Sequence, residues 1–354
     1  LLYVPLLAPV LILAIARRRR AVLWAAAAVV LTWLVVIAAY RFDIRTLTPP
    51  ELEQISATAY LPAPVKAAAR LLTFIPIPLS LWTGVSTLFS NLAFEMPVYL
   101  LGKVWPEGNP WYFAVALAVK VPVSLWILML AGGGALINRA YHRRLAWTAL
   151  LWLAPGFLYI ALASTVPLQL GVRLVLPALP FGLLIAAAGV DWLSRTHARQ
   201  ALLALLALVF LFETGRVYPD GIGFFNLAAG GPARGSHYLL DSNLDWGQGL
   251  PALESWARRN KVLPIRLSYF GADMPFRYFR GNEVELLAPP WAESLVKSDR
   301  LVPEPGRYYA IGATLIPGQF FAPKFKDYYA AFRDREPVAR PGYAIFVYYF
   351  EPTP

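Results

Sequence analysis

Leu239-Leu240-Asp241-Ser242-Asn243-Leu244-Asp245-Trp246-Gly247-Gln248-Gly249-Leu250 divides the chain into two chemistries. Upstream, nearly everything is apolar enough for a membrane. Downstream, the composition is that of a mixed, charged, aromatic-rich soluble domain. The stretch itself gathers two carboxylates, a serine, and an amide on each side of a tryptophan. Its flanks predict a strand over His237–Asp241 and a helix over Leu250–Asn260. Asp245 stands where a helix N-cap is expected, with Gln248 three residues later, a capping-box pattern. Capping accounts for that pair but leaves Asp241, Ser242 and Asn243 unexplained.

The charge distribution sharpens the division. Of 354 residues, 58% are hydrophobic, and the net charge is +11. Residues 1–216 hold 17 Lys/Arg against 7 Asp/Glu, whereas residues 217–354 hold 15 against 14. The basic surplus therefore belongs to the apolar half, in short clusters between apolar runs, as membrane topology signals do. A nucleic-acid footprint would put it on a soluble face instead, so no nucleic-acid partner is expected. With no cysteine and three dispersed histidines, His142, His197 and His237, no metal-ligand spacing is present. GxSxG, P-loop, HExxH and dinucleotide fingerprints are also missing.

The apolar runs are Leu1–Ala16, Ala21–Tyr40, Tyr112–Ile137, Ala146–Val166, Leu174–Leu193 and Ala201 to about Glu213. If Arg17–Arg20 face the cytoplasm, alternation places the basic segments Asn138–Leu145 and Ser194–Gln200 there too, as the positive-inside rule requires. The expected architecture is a multi-spanning α-helical membrane protein, with about six transmembrane helices in residues 1–216 and an outer loop at 41–111. A small extracytoplasmic α/β domain follows at 217–354. Within the outer loop, Ala57–Leu72 and Leu79–Leu92 have the spacing of amphipathic helices lying on the membrane or on the protein's own core. The first run falls short of the ~20 residues that a span needs, and no charged segment precedes it. The sequence is therefore read as a fragment that begins inside a helix.

In the soluble half, strands are expected at Ile265–Phe270, Tyr308–Ala313 and Tyr343–Phe350, and a second helix at Lys324–Arg333. A strand, a helix and a strand within ~35 residues predict a βαβ unit and a partly parallel sheet.

Two cations stand out in the membrane half. Lys120 lies about 12 Å along its run at 1.5 Å per residue, where a charge requires water, a counter-charge or a phosphate; the alternative is a lysine snorkelling outward. Pro122 can open the backbone beside it. Arg173, at the outer mouth of the fifth run, can clamp a phosphate bidentately or serve as an interfacial anchor. Ala131-Gly132-Gly133-Gly134 fits close helix packing better than a phosphate loop.

Several pieces carry a family resemblance: Tyr99–Lys103, Trp111–Pro122, Gly171-Val172-Arg173-Leu174-Val175-Leu176-Pro177 through Pro180, Tyr218–Pro232, and Leu240–Gln248. Across most of residues 95–270 the chain resembles the C-terminal part of bacterial multi-spanning glycosyltransferases of the GT-C class. These are the phospholipid-carrier-dependent enzymes related to protein mannosyltransferases and the aminoarabinose transferase. Where such proteins often have Lys-Thr-Pro, this chain has Lys120-Val121-Pro122. The resemblance implies a glycosyltransferase, multi-pass in the bacterial inner membrane. It would move a sugar from a polyprenyl-phosphate-linked donor to an unidentified acceptor on the outer face.

The class places its catalytic base in a first outer loop, which would precede residue 1, so no catalytic residue, metal or cofactor is assigned. Lys120 and Arg173 are the expected donor-phosphate contacts. Asp241, Ser242, Asn243 and Trp246 are the expected glycan or acceptor contacts, since a carboxylate, an amide and an aromatic face suit a sugar. The alternative is a non-catalytic, membrane-anchored glycan-binding or assembly protein. A transporter would predict paired repeats of broken helices.

Overall fold

In this computed structural model, residues 19–46, 48, 77–78, 80–81, 83–84, 96–142, 153–296 and 298–352 are described. The run Leu1–Ala16, the helix expected at Ala57–Leu72 and most of Leu79–Leu92 lie outside them. The elements are α1 (Arg19–Ala39), β1 (Ile44–Arg45), β2 (Ile77–Pro78), β3 (Val98–Leu100), β4 (Lys103–Trp105), α2 (Tyr112–Lys120), α3 (Val123–Tyr141), α4 (Ala154–Ala163), α5 (Leu179–Leu193), α6 (His197–Gly215), α7 (Leu250–Asn260), β5 (Ile265–Ser268), β6 (Val284–Leu286), β7 (Arg307–Gly312) and β8 (Ile345–Phe350). A 3-10 segment, Val172–Ala178, leads into α5.

The contacts form two compact units. One comprises Leu1–Met96 with Leu151–Leu168, and the other Pro97–Leu150 with Gln169–Pro354. The second unit thus joins α2, α3, α5 and α6 to everything after residue 217, so compactness does not divide at the composition boundary near 216. It also contains every candidate site residue named above.

Among the described residues, three helical segments are long and apolar enough to cross a membrane: Val123–Tyr141, Val172–Leu193 and His197–Gly215. Shorter apolar helices cover Val30–Ala39 and Ala154–Ala163. The glycine patch packs helices, as its composition predicts. A Cβ on Gly132 would come within 2.8 Å of Gly189 N, and one on Gly189 within 3.0 Å of Gly132 N. Only glycine at both positions lets α3 and α5 cross this closely. Arg139 of α3 pairs with Asp191 of α5 farther along.

The run Tyr112–Ile137 is not one helix. It breaks between Lys120 and Val123, because Pro122 has no N–H and holds Val121 extended, at φ −85° and ψ 132°. The break would orphan several backbone groups, and two distant side chains take them up. Asn226 Nδ2 donates to Ala118 O at 2.6 Å and to Val121 O at 2.8 Å, while its own N–H reaches Val119 O at 2.9 Å. Glu213, fully buried, accepts from Val123 N at 3.0 Å and from Leu227 N at 2.7 Å.

The soluble part is built on a four-stranded sheet of order β6-β5-β7-β8. β5 runs parallel to both β6 and β7, and β8 is antiparallel to β7. The sheet is partly parallel, as expected, but its second parallel strand is β6, which the sequence pattern missed. β6 has three residues, and Glu285 and Leu286 are exposed, so it carries no alternating signal. His237–Asp241 is not a strand. Gly235–Tyr238 forms a helical turn, and Leu239 makes only an isolated bridge to Leu100. The βαβ unit expected from it is therefore absent; the parallel pairing comes from β5, β6 and β7. Of the helix expected at Lys324–Arg333, only the turn Ala330–Arg333 is α-helical.

α7 matches its prediction from Leu250 to Asn260. Leu250, Leu253 and Ala257 form its buried stripe, Pro251 sits in the first turn, and Lys261 closes it in the left-handed conformation. It packs on Ile265 and Leu267 of β5, Ala310 of β7, and Ile345 and Val347 of β8.

Candidate functional site

β5 connects onward to β6 on one side, and its neighbour β7 connects onward to β8 on the other, so the connections from these two adjacent strands leave in opposite directions. In open α/β sheets a ligand crevice forms at the carboxyl ends of such strands. The Asp241–Gly249 stretch lies over those ends. Asp241 N–H donates to Thr314 Oγ1, two residues beyond β7, at 3.0 Å. A Cβ on Gly312, the last residue of β7, would lie 2.9 Å from Asp245 Oδ2 and 3.3 Å from Tyr269 Cα. Glycine is required there because the loop passes against the strand end.

Asp245 does not cap α7. The N-cap is Gly249. Asp245 is fully buried, and its Oδ1 accepts from Gly247 N at 3.1 Å. Among the described residues its Oδ2 has no hydrogen-bond partner. Burial, with a smaller contribution from the Asp241 charge, raises its pKa to about 8 against the bond from Gly247. Gln248 closes the same loop: its Oε1 accepts from Trp246 N at 2.7 Å and its Nε2 donates to Leu244 O at 2.7 Å. The capping-box pair thus shapes the turn itself. The predicted cap fails because Trp246 and Gly247 turn the chain before the helix begins.

Asn243 joins the loop to the helical part. Its Nδ2 donates to Tyr112 Oη at 2.8 Å and to Leu240 O at 3.4 Å, and its Oδ1 accepts from Val172 N at 2.9 Å. Tyr112 Oη also accepts from Gly171 N at 3.0 Å. Gly171, at φ +91°, would bring a Cβ within 2.9 Å of Ser242 Cβ. Lys120 meets the same loop. Its Nζ donates to Ile222 O at 2.8 Å and to Asn243 O, and lies 4.0 Å from the Phe225 ring centroid. Asn243 and Lys120, expected at glycan and phosphate, are engaged with the protein's own groups: the Tyr112 hydroxyl and the Leu240 and Val172 backbone for one, the Ile222 and Asn243 carbonyls for the other.

Arg173, Asp241, Ser242 and Trp246 remain. Asp241 has a left-handed φ of 53°, is mostly buried, and accepts from Ser242 Oγ at 3.2 Å. Burial pushes its pKa upward, partly offset by hydrogen bonds from Ser242 and by the Arg173 charge. It also lines a cavity of about 10 Å³ with Tyr99, Tyr112, Gln169 and Gln319, room for a water at most. Arg173 is exposed; its Nε donates to Leu170 O at 3.1 Å, and its guanidinium carbon lies 5.2 Å from the Trp246 ring centroid. Among the described residues no carboxylate forms an ion pair with it, so its terminal N–H groups suit an anion. Trp246 is 41% exposed and continues into Phe270, ring centroids 5.7 Å apart. Periodicity could not reveal Thr314, Gly312 and Phe270, which reach the site only through the sheet.

The described residues contain no cluster of three His, Cys, Asp or Glu able to hold a metal. No family model, curated protein or solved structure matches the chain.

Proposed function

We propose that this chain is part of a membrane glycosyltransferase that uses a polyprenyl-phosphate-linked sugar, with Arg173 on the donor phosphate. One observation carries the reading: an exposed guanidinium, without an ion pair among the described residues, lies over Trp246 near Asp241 at the carboxyl ends of the sheet. Phosphate charge grows as a glycosyl bond breaks, and a fixed guanidinium stabilises that charge. An aromatic face with a neighbouring carboxylate and hydroxyl suits a sugar ring, which places Trp246, Asp241 and Ser242 on the glycan. The acceptor and the catalytic base are left unassigned.

The membrane arrangement is six spans in the inner membrane of a bacterium, basic clusters inside, and the sheet outside. The three described segments of spanning length and the one-sided basic clusters support it. Because the chain has no cysteine, single cysteines at Ser194 and at Ser298 can be tested with a membrane-impermeant maleimide in intact cells. Labelling is expected at position 298 and not at 194; the reverse pattern rejects the orientation.

The decisive assay follows transfer from defined polyprenyl-phosphate sugars by the longest protein that contains residues 1–354. Arg173→Ala is expected to lower turnover by about two orders of magnitude, as loss of a transition-state charge contact does. Unchanged turnover in that variant removes Arg173 from the phosphate. Binding of donor without any transfer favours the non-catalytic glycan-binding alternative.

A further inference from the structure

A second feature lies at the same edge of the sheet. A groove of about 380 Å³ opens at the carboxyl ends of β5 and β6, lined among others by Leu267, Tyr269, Leu286, Pro289, Trp291 and Leu295. Leu286, Trp291 and Leu295 are 44%, 47% and 68% exposed. Its volume falls in the range of small-molecule sites. The polar side-chain atoms in its lining are the Tyr269 hydroxyl, which donates to Asp273 O, and the Trp291 indole nitrogen. A sugar or peptide placed there would lose hydrogen bonds to water without replacing them. A hydrocarbon chain loses none.

The groove is not isolated from the cation. Trp291 stands 6.2 Å from Phe270, Phe270 stands 5.7 Å from Trp246, and Arg173 lies over Trp246. Phe320 stacks on Phe270 at 6.0 Å, with the planes 15° apart. A continuous aromatic path therefore leads from an exposed guanidinium to an exposed apolar trough. An anionic head with an apolar tail has the matching distribution of charge and surface.

We infer that this groove binds the prenyl chain of a prenyl phosphate, whose phosphate is held at Arg173. The inference rests on the lipid-linked donor proposed above and assigns it a tail site outside the membrane-spanning helices. Phe270 lies along the chain, and Leu286, Trp291 and Leu295 enclose its end.

The test uses the intact protein in nanodiscs and farnesyl phosphate with a diazirine at the tail end. After irradiation, label is expected within residues 286–295. Wild-type protein should bind farnesyl phosphate at least about tenfold more tightly than farnesol or inorganic phosphate, because head and tail are both engaged. Ala292→Trp, which fills the groove, and Leu286→Gln should each weaken farnesyl phosphate binding about tenfold and leave inorganic phosphate binding unchanged. Label confined to residues 123–141 or 179–193 of the wild-type protein overturns the groove, whatever the variants do. That result, combined with loss of sugar transfer in Arg173→Ala, would leave the transferase proposal standing. Label in the groove without any sugar transfer would keep the lipid site and remove the transferase.

Discussion

Asn243 Nδ2 and Tyr112 Oη meet at 2.8 Å across 131 residues of sequence, and this bond ties the loop at the sheet to the start of α2. The same hydroxyl takes the Gly171 N–H, so one phenol orients the loop, the helix and the segment that carries Arg173. Tyr112→Phe removes the shared acceptor and leaves two buried donors unpaired. The expected cost is ~1–3 kcal/mol, read as a lower unfolding midpoint in detergent. Asn243→Ala should destabilise by a similar amount. If either variant keeps wild-type stability while sugar transfer falls, Asn243 belongs to the ligand after all.

Lys120 and Arg173 should separate cleanly. Lys120→Ala removes the donor to two carbonyls and is expected to cost ~1–3 kcal/mol of stability. Arg173→Ala removes an exposed side chain and should stay within ~0.5 kcal/mol of wild type. Thermal denaturation of the two purified variants checks this. Equal losses would mean that Arg173 is a structural anchor.

Asp245 makes stability depend on pH. Its carboxyl is raised from the ordinary carboxylate range to about 8 by burial. Between those limits the unfolded chain has released the proton and the folded chain keeps it. Stability therefore falls as pH rises, by up to ~1.4 kcal/mol per pH unit, and levels off above the folded value. Asp245→Asn mimics the protonated form and should flatten this slope, raising the midpoint at pH 8 relative to wild type. Parallel pH profiles for the two proteins would show that the carboxyl ionises without cost.

Glu213 and Asn226 repair the break at Pro122, and their loss should be felt through α2 and α3. Glu213→Gln leaves one acceptor oxygen for two orphan N–H groups, at an expected cost of ~1–3 kcal/mol. Asn226→Ala frees the Ala118 and Val121 carbonyls at a similar cost. Because the two residues serve adjacent backbone groups, the double variant should differ from the sum of the singles by ~0.5 kcal/mol or more. Strict additivity in denaturant titrations would show that they act independently.

What the sequence determined by itself was local. Apolar runs marked α1 and the three membrane-length segments. The stripe of Leu250, Leu253 and Ala257 marked α7, and β-branched and aromatic runs marked β5, β7 and β8. The glycine patch announced close packing, which Gly132 makes, and Pro122 announced a break. These signals survive because each depends on neighbours within a few residues.

The roles of the polar side chains were decided only by the tertiary structure. Asp245 and Gln248 have the spacing of a cap, but their partners are Gly247, Trp246 and Leu244 within their own turn. Lys120 and Asn243 have the chemistry of ligand contacts, yet each faces protein groups from distant segments: Ile222 and Asn243 for one, Tyr112 and Val172 for the other. A buried donor or acceptor bonds to whatever the fold brings within 3 Å, and residue type constrains that choice only weakly. Arg173 stands exposed over Trp246 because the 3-10 segment that carries it is tied to the loop through Val172 N–H and Asn243 Oδ1, a placement that no spacing in the chain encodes.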